Sequence, residues 1–279
     1  MSSSRPSGRA RMRARAADVA LYREPELYDV AFGFRDVEAE CTALLKLCAA
    51  HGVASPRRVL ELACGPAHHA REIARRRISS VGIDISAAML AYARTLCRRD
   101  GVTVAFKRAD MRTFRLDARA DVALCLFDSF GHCVSDRDGI AALQRTADAL
   151  RRHGLLFLEL SHPADYFSNG RSRTLDRWTE RRGPLSVKTK FLVTRMDAAA
   201  ETFVARVSLE ARTRANGRKT VRRLAMRWLH RMWMRSAIEY VALASGRFEI
   251  AAWYGDLDPA VPLSSGPQAW RMVAVLRRR

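Results

Sequence analysis

The sequence predicts an α/β protein built on a doubly wound, mostly parallel sheet, with an antiparallel β-rich insert late in the chain. Three observations carry this expectation. Arg58 to Asp84 reads as strand, glycine turn, helix and strand, with an acid at the tip of the second strand. Apolar runs of strand length then alternate with amphipathic helical runs up to residue 160. From about Ser161 to Met232 the pattern changes to every-second-residue alternation around a strong hairpin signal, Asn216-Gly217.

In chain order, residues 1–18 are mainly Ser, Arg, Gly, Pro and Ala with almost nothing to bury, which reads as a disordered basic leader. It lacks the apolar centre of a secretory signal, although an Arg- and Ser-rich stretch whose single acid is Asp18 also suits an organelle transit peptide. Residues 19–160 carry the alternating elements. Tyr22 and Tyr28 precede an amphipathic helix over Val37 to Ala50. Val59, Leu60 and Leu62 form a strand that Gly65 and Pro66 terminate. A helix over Ala67 to Arg77 and a strand over Ser80 to Ile83 follow, and then Asp84. Ser86 caps the next helix, whose buried face is Met89, Leu90, Ala93 and Leu96. Val102 to Phe106 is the third strand and Asp121 to Phe127 the fourth, the latter apolar enough for the centre of a parallel sheet. A helix over Asp138 to Arg151, closed by His153-Gly154, leads into a fifth strand, Leu155 to Leu160.

The insert, 161–232, alternates Val187, Thr189, Phe191 and Val193, then Phe203, Ala205, Val207 and Leu209. It carries Tyr166, Trp178, Trp228 and His230, with Trp233 just beyond it. Residues 233–279 read as a helix over Ser236 to Ala244 that stops at Gly246, then strands over Phe248 to Tyr254 and Trp270 to Leu276.

Composition excludes several classes. At 279 residues and 48% hydrophobic the chain can bury a sizeable core, and no apolar run reaches the length of a membrane span. Six cysteines are scattered without a Cys-x-x-Cys pair, as in a reduced, cytoplasmic protein. The net charge of +20 invites a nucleic-acid partner. Only five of the 49 basic residues are lysines, however, and the arginines are spread along helices instead of forming one stripe, so nucleic acid is not the expected partner. No His/carboxylate cluster implies a metal, and the neighbours His68 and His69 splay to different helix faces.

The βαβ unit is built for a nucleoside. A turn without bulky side chains admits a ligand to the backbone, the next helix offers free amides, and Asp84 can accept from both ribose hydroxyls. A dinucleotide fingerprint would need Gly-x-Gly-x-x-Gly, and only Gly65 is present. Glu61, just before the turn, would oppose a pyrophosphate and suit an ammonium group.

Glu61-Leu62-Ala63-Cys64-Gly65-Pro66-Ala67 resembles the first motif of the class I S-adenosylmethionine-dependent methyltransferases, with two alanines in place of glycine. Gly82-Ile83-Asp84-Ile85-Ser86, followed by Met89-Leu90, resembles their second. The resemblance implies a Rossmann-like sheet with an antiparallel last strand, and a lid made by the insert, which in relatives covers the active site and selects the acceptor. A dimerisation sheet, hence a homodimer, stays open as the insert's other role. The implied cofactor is S-adenosylmethionine. Its contacts would be Glu61, Ala63, Cys64 and Gly65 at the turn, Asp84 on the ribose, and Ile85 and Met89 on the adenine. Asp110 would take the adenine amino group, with Met111 meeting a ring nitrogen. Tyr22 or Tyr28 would fold over the cofactor.

Phe127 to His132 resembles the same stretch of small-molecule N-methyltransferases, including sugar-amine N,N-dimethyltransferases, where a Gly-His pair borders the acceptor. Phe127 and Ser129 would then lie beside the cofactor. His132 is the candidate general base. Tyr28, Tyr166, Trp178, Trp228, His230 and Tyr254 are candidates for the acceptor side. The expected activity is methyl transfer to an N or O atom of a small metabolite, requiring in-line placement at roughly 3–3.5 Å and exclusion of water. The alternatives are an RNA or protein methyltransferase, a nicotinamide oxidoreductase, and a non-catalytic nucleic-acid-binding module.

Overall fold

Runs too apolar to face water on either side become the inner strands of the larger of two sheets. The computed structural model describes residues 20–165, 173–215 and 218–279, so the leader, Tyr166 and Asn216-Gly217 lie outside the described residues. The strands are β1 (Arg58–Leu62), β2 (Ser79–Asp84), β3 (Ala105–Arg108), β4 (Ala120–Cys125), β5 (Leu150–Ser161), β6 (Arg173–Arg182), β7 (Leu185–Asp197), β8 (Thr202–Ala215), β9 (Arg218–Arg231), β10 (Phe248–Tyr254) and β11 (Arg271–Arg278). The helices are α1 (Pro25–Ala31), α2 (Val37–Ala50), α3 (His68–Arg75), α4 (Ala87–Asp100), α5 (Asp136–Ala149) and α6 (Arg235–Ser245).

The seven-stranded sheet has the order β10-β11-β5-β4-β1-β2-β3. Pairing is parallel from β5 to β3, and β11 runs antiparallel to both of its neighbours. The order reverses between β1 and β4, which opens a crevice at their carboxyl ends, where ligands of open α/β sheets bind. Side chains of β4 alternate between two cores: Ala123 and Cys125 join Leu60, Leu143 and Ile238, while Val122 and Leu124 join Leu44, Leu47 and Phe157. Burial on both faces is why β4 reads as one continuous apolar run.

Local chemistry fixes the ends of these elements. The Asp36 carboxylate accepts from the Ala39 amide at 3.0 Å and starts α2, and the Ser86 hydroxyl accepts from Met89 at 3.3 Å and starts α4. Gly101 and Gly246 close α4 and α6 in the left-handed conformation. Several boundaries differ from the sequence reading, three of them for reasons the backbone shows. β3 begins at Ala105, because the chain leaving Gly101 is still bonded to the end of α4 through the Val102 amide. β4 ends at Cys125, because Phe127 and Asp128 turn into positive φ. His153-Gly154 does not close α5, which stops at Ala149; it is an irregularity inside a long β5, with His153 at φ 61. Glycine is required there, since a Cβ on Gly154 would meet the carbonyl oxygens of Arg151 and Asp121 at 2.9 Å.

The described residues fall into two compact units. One holds the seven-stranded sheet with its helices and takes back the chain at His230. The other is the antiparallel sheet β6-β7-β8-β9 together with the N-terminal segment through Arg35. Leu21, Leu27, Val30 and Ala31 pack there against Val187, Val207 and Leu209. The alternating positions of β8, Phe203, Ala205, Val207 and Leu209, are all buried. Among the described residues no helix is long and apolar enough to cross a membrane.

Candidate active site

The turn after β1 is wound left-handed at every second residue. Ala63, Gly65 and Ala67 have φ of 50°, 50° and 57°. These are the three positions at which the motif favours glycine, so each alanine keeps a conformation its Cβ disfavours. Ala63 is half-buried and its methyl contributes little to packing. Ala63→Gly is therefore expected to stabilise the fold by about 0.5–1 kcal/mol in urea titrations; a loss of stability would show that the methyl matters more than the strain.

Asp84 locks this turn to the tip of β2. Its Oδ2 accepts from the Gly65 amide at 2.8 Å and its Oδ1 from the Ser86 amide at 2.7 Å. Burial pushes its carboxyl up from the usual range, opposed by those amide bonds. A Cβ on Gly65 would meet nothing within 4 Å, so the space over the turn is open to a ligand. Glu61 faces the following helix: its Oε2 accepts from the Ala70 amide at 2.9 Å and so caps α3, whose N-cap residue Ala67 has no side-chain acceptor. Cys64 is buried and its thiol is pushed up by desolvation, which leaves it protonated.

Beyond β2, Ile85 is 62% exposed whereas Met89, on the inner face of α4, is fully buried. Asp110 is gripped by Arg112, whose Nε and Nη2 donate to it at 2.9 and 2.6 Å while Nη1 reaches Asp138 at 3.0 Å. That guanidinium holds the Asp110 carboxyl below its usual range. The Met111 sulfur lies 3.8 Å from the Cys133 thiol.

The tip of β4 is strained and heavily supported. Phe127, 36% exposed, and Asp128 have φ of 60° and 55°, an unfavourable conformation for a bulky side chain. Glu159 of β5 holds both, its Oε2 accepting from the Phe127 amide at 3.1 Å and its carbonyl from the Asp128 amide at 3.2 Å. Ser129 to His132 then form a single 3-10 turn. Trp233 clamps that turn from below, its indole N–H donating to the carbonyls of Phe130 and Cys133 at 3.2 and 3.1 Å. His132 is exposed to water at this turn yet ringed by protein, as in a recess. That surrounding mass, with His230 adding to it and Asp128 opposing, pushes its imidazole down to about 4. His132 is thus neutral at pH 7 and can accept a proton.

Behind the crevice runs a buried polar chain. Glu61 Oε1 lies 3.6 Å from His69 Nδ1, and His69 Nε2 lies 2.8 Å from Glu40 Oε2. Arg271 bonds Glu40 at 3.1 Å, Glu159 at 2.9 Å and Asp256 at 2.6 Å. The first turn and the β4 tip are in this way joined through one arginine.

Of the predicted residues, Glu61, Ala63, Cys64, Gly65, Asp84, Ile85, Met89, Asp110, Met111, Phe127, Ser129, His132, His230 and Tyr254 belong to the unit of the large sheet. Tyr254 bonds His51 through its hydroxyl at 2.9 Å. Tyr22, Tyr28, Trp178 and Trp228 belong to the unit of the inserted sheet. There Tyr28 stacks on Phe32 with ring centroids 4.7 Å apart, the Trp178 indole donates to the Ala31 carbonyl at 2.5 Å, and Trp228 packs on Phe191. Sequence reasoning missed Asp128, Ser161, Glu159 and Arg271. Only Asp128, an acid at a strand tip, carried a sequence signal; the others are ordinary residues of β5 and β11 whose partners lie up to 231 positions away.

The chain is similar to known methyltransferases. A methyltransferase-domain family model matches residues 59–154. The chain is 33% identical over 138 residues to the dTDP-3-amino-3,6-dideoxy-alpha-D-glucopyranose N,N-dimethyltransferase of Streptomyces fradiae, covering 48% of this chain and 51% of that one. The chain spans about half the length of the curated relatives it matches. Among solved structures, Streptomyces venezuelae DesVI superposes with a TM-score of 0.74 at 19% identity, covering 90% of this chain and 96% of the other. CalS10, an S-adenosylmethionine-bound amino pentose methyltransferase of Micromonospora echinaspora, gives 0.67 at 20% identity and covers 100% and 99%. Residues 59–154 thus resemble a methyltransferase domain, and the fold of the chain is that of solved S-adenosylmethionine-dependent methyltransferases.

Proposed function

We propose that the chain transfers a methyl group from S-adenosylmethionine to the amine of a small metabolite, of the amino-sugar nucleotide class. The observation that carries the reading is the placement of two strand tips on either side of β1: Asp84 of β2, tied to the open Gly65 turn, and the turn after β4 that carries His132. The resemblance to a sugar-amine N,N-dimethyltransferase supports the acceptor class.

When bound, S-adenosylmethionine supplies an electrophilic methyl group on a sulfonium sulfur. The chain's residues do the rest. Asp84 holds the ribose, and the exposed Ile85 and Phe127 side chains provide apolar walls for the nucleoside. His132 receives the proton that the amine sheds. The test has two stages. Calorimetry is expected to show S-adenosylhomocysteine binding and no NADH binding; the reverse result would sink the reading. Mass spectrometry should then show added methyl groups on dTDP-3-amino-3,6-dideoxyglucose.

His132→Ala is expected to lower turnover on that acceptor roughly 10²-fold with cofactor affinity intact. The acidic limb of the wild-type rate profile should lie near pH 4, where His132 protonates, instead of near the usual value of about 6.5. A limb at the ordinary histidine value would assign the proton transfer to another group.

A further inference from the structure

The β4 tip holds a second histidine. His230 is the penultimate residue of β9, where the chain returns to the unit of the large sheet, and it is buried. Its Nε2 lies 3.0 Å from Asp128 Oδ2, the same oxygen that accepts from the Ser161 hydroxyl at 2.6 Å. An ionised Asp128 can only accept, so His230 carries a proton on Nε2. Its ring stands edge-on to His132, with centroids 5.7 Å apart and planes at 79°.

Gly131 makes this docking possible. A Cβ there would lie 2.0 Å from His230 Nε2 and 2.2 Å from Cε1, so any other residue would evict the ring. Three chain segments far apart in sequence therefore converge on one imidazole: the β4 tip with Asp128 and Gly131, the end of β5 with Ser161, and the end of β9. The titratable groups that act on His132 include His230 and Asp128, and the Asp128 amide donates to the Glu159 carbonyl of β5 at 3.2 Å. Arg231, next along the chain, is engaged elsewhere, with Asp136 at 2.6 Å and Glu201 at 3.0 Å.

We propose that His230 is a positioning residue for methyl transfer, docked on Asp128 through the gap left at Gly131 so that its ring fixes the orientation of the His132 ring. The inference rests on the methyl-transfer reading. In the step it serves, the amine lone pair forms the N–C bond and the C–S bond breaks with its electron pair on sulfur. The N–H proton of the product ammonium passes to neutral His132 and then to solvent. His132 takes that proton only when its ring is turned toward the amine, and the edge-on His230 ring, with centroids 5.7 Å apart, limits how it can turn. His230 touches no reacting atom in this scheme; it acts through His132.

The test uses the full chain labelled with 13C-histidine, following the Cε1–Hε1 signals of both rings against pH. His230→Asn should move the His132 midpoint up by about half a pH unit or more. Gly131→Ala should do the same by a different route, since it displaces His230 without altering its chemistry. Both variants should bind S-adenosylhomocysteine within about twofold of wild type, and kcat on the amino-sugar nucleotide should fall about tenfold with little change in KM. Wild-type kcat in both folded variants, with cofactor binding intact, overturns the inference and leaves the methyltransferase reading standing. Failure of the wild type to bind S-adenosylhomocysteine overturns the methyltransferase reading instead, whatever the histidine signals show.

Discussion

Replacing Asp84 by alanine is expected to weaken S-adenosylhomocysteine binding by about 10²–10⁴-fold. The carboxylate would accept from two ribose hydroxyls, and a hydrogen bond to a charged group is worth about 1.5–3 kcal/mol, so two amount to roughly 3–6 kcal/mol. The same carboxylate holds the Gly65 amide at 2.8 Å and the Ser86 amide at 2.7 Å, so the turn loosens as well. Asp84→Asn keeps one acceptor oxygen and should fall between wild type and alanine. Calorimetry reads all three proteins. A loss below tenfold for the alanine variant would remove Asp84 from the ribose site.

Arg271→Met should destabilise the fold by about 3–5 kcal/mol in guanidinium titrations. Arg271 is 5% exposed and is bonded by three acids, Glu40, Glu159 and Asp256. Methionine fills much of the same volume but leaves those carboxylates without their cation, in surroundings where an unpaired charge is costly. The deficit should shrink on acidification, because protonating the carboxylates removes the uncompensated charge. Equal deficits at pH 8 and pH 5 would mean that packing, not charge, is what Arg271 supplies. The variant should also relax the β4 tip, since Glu159 bonds the Phe127 amide at 3.1 Å.

Much of this was legible in the residues. Val37 to Ala50 is a helix with the bounds its periodicity gave, and Ser86 caps α4 as its position suggested. Phe248 to Tyr254 is a strand with the expected bounds, and β11 runs antiparallel, as the resemblance implied. Boundaries failed where backbone conformation, not side-chain pattern, decides. Phe127 is apolar and reads as strand, but its φ of 60° ends β4 two residues earlier. His153-Gly154 reads as a helix stop, yet it is accommodated inside β5 because a parallel neighbour, β4, supplies pairing on both sides of the irregularity.

The sequence by itself determined the β1-turn-α3-β2 unit and the place of Asp84 at its end. Asp84, Gly65 and the β1-turn-α3 unit are local, their contacts spanning at most a few tens of residues, and local spacing is what a sequence displays. Only the tertiary structure decided the β4 tip. His230 reaches Asp128 across 102 positions, and Arg271 reaches Glu40 across 231. Such pairs are chosen by which strands lie side by side and by the room left at Gly131, quantities that exist only once the sheet has formed.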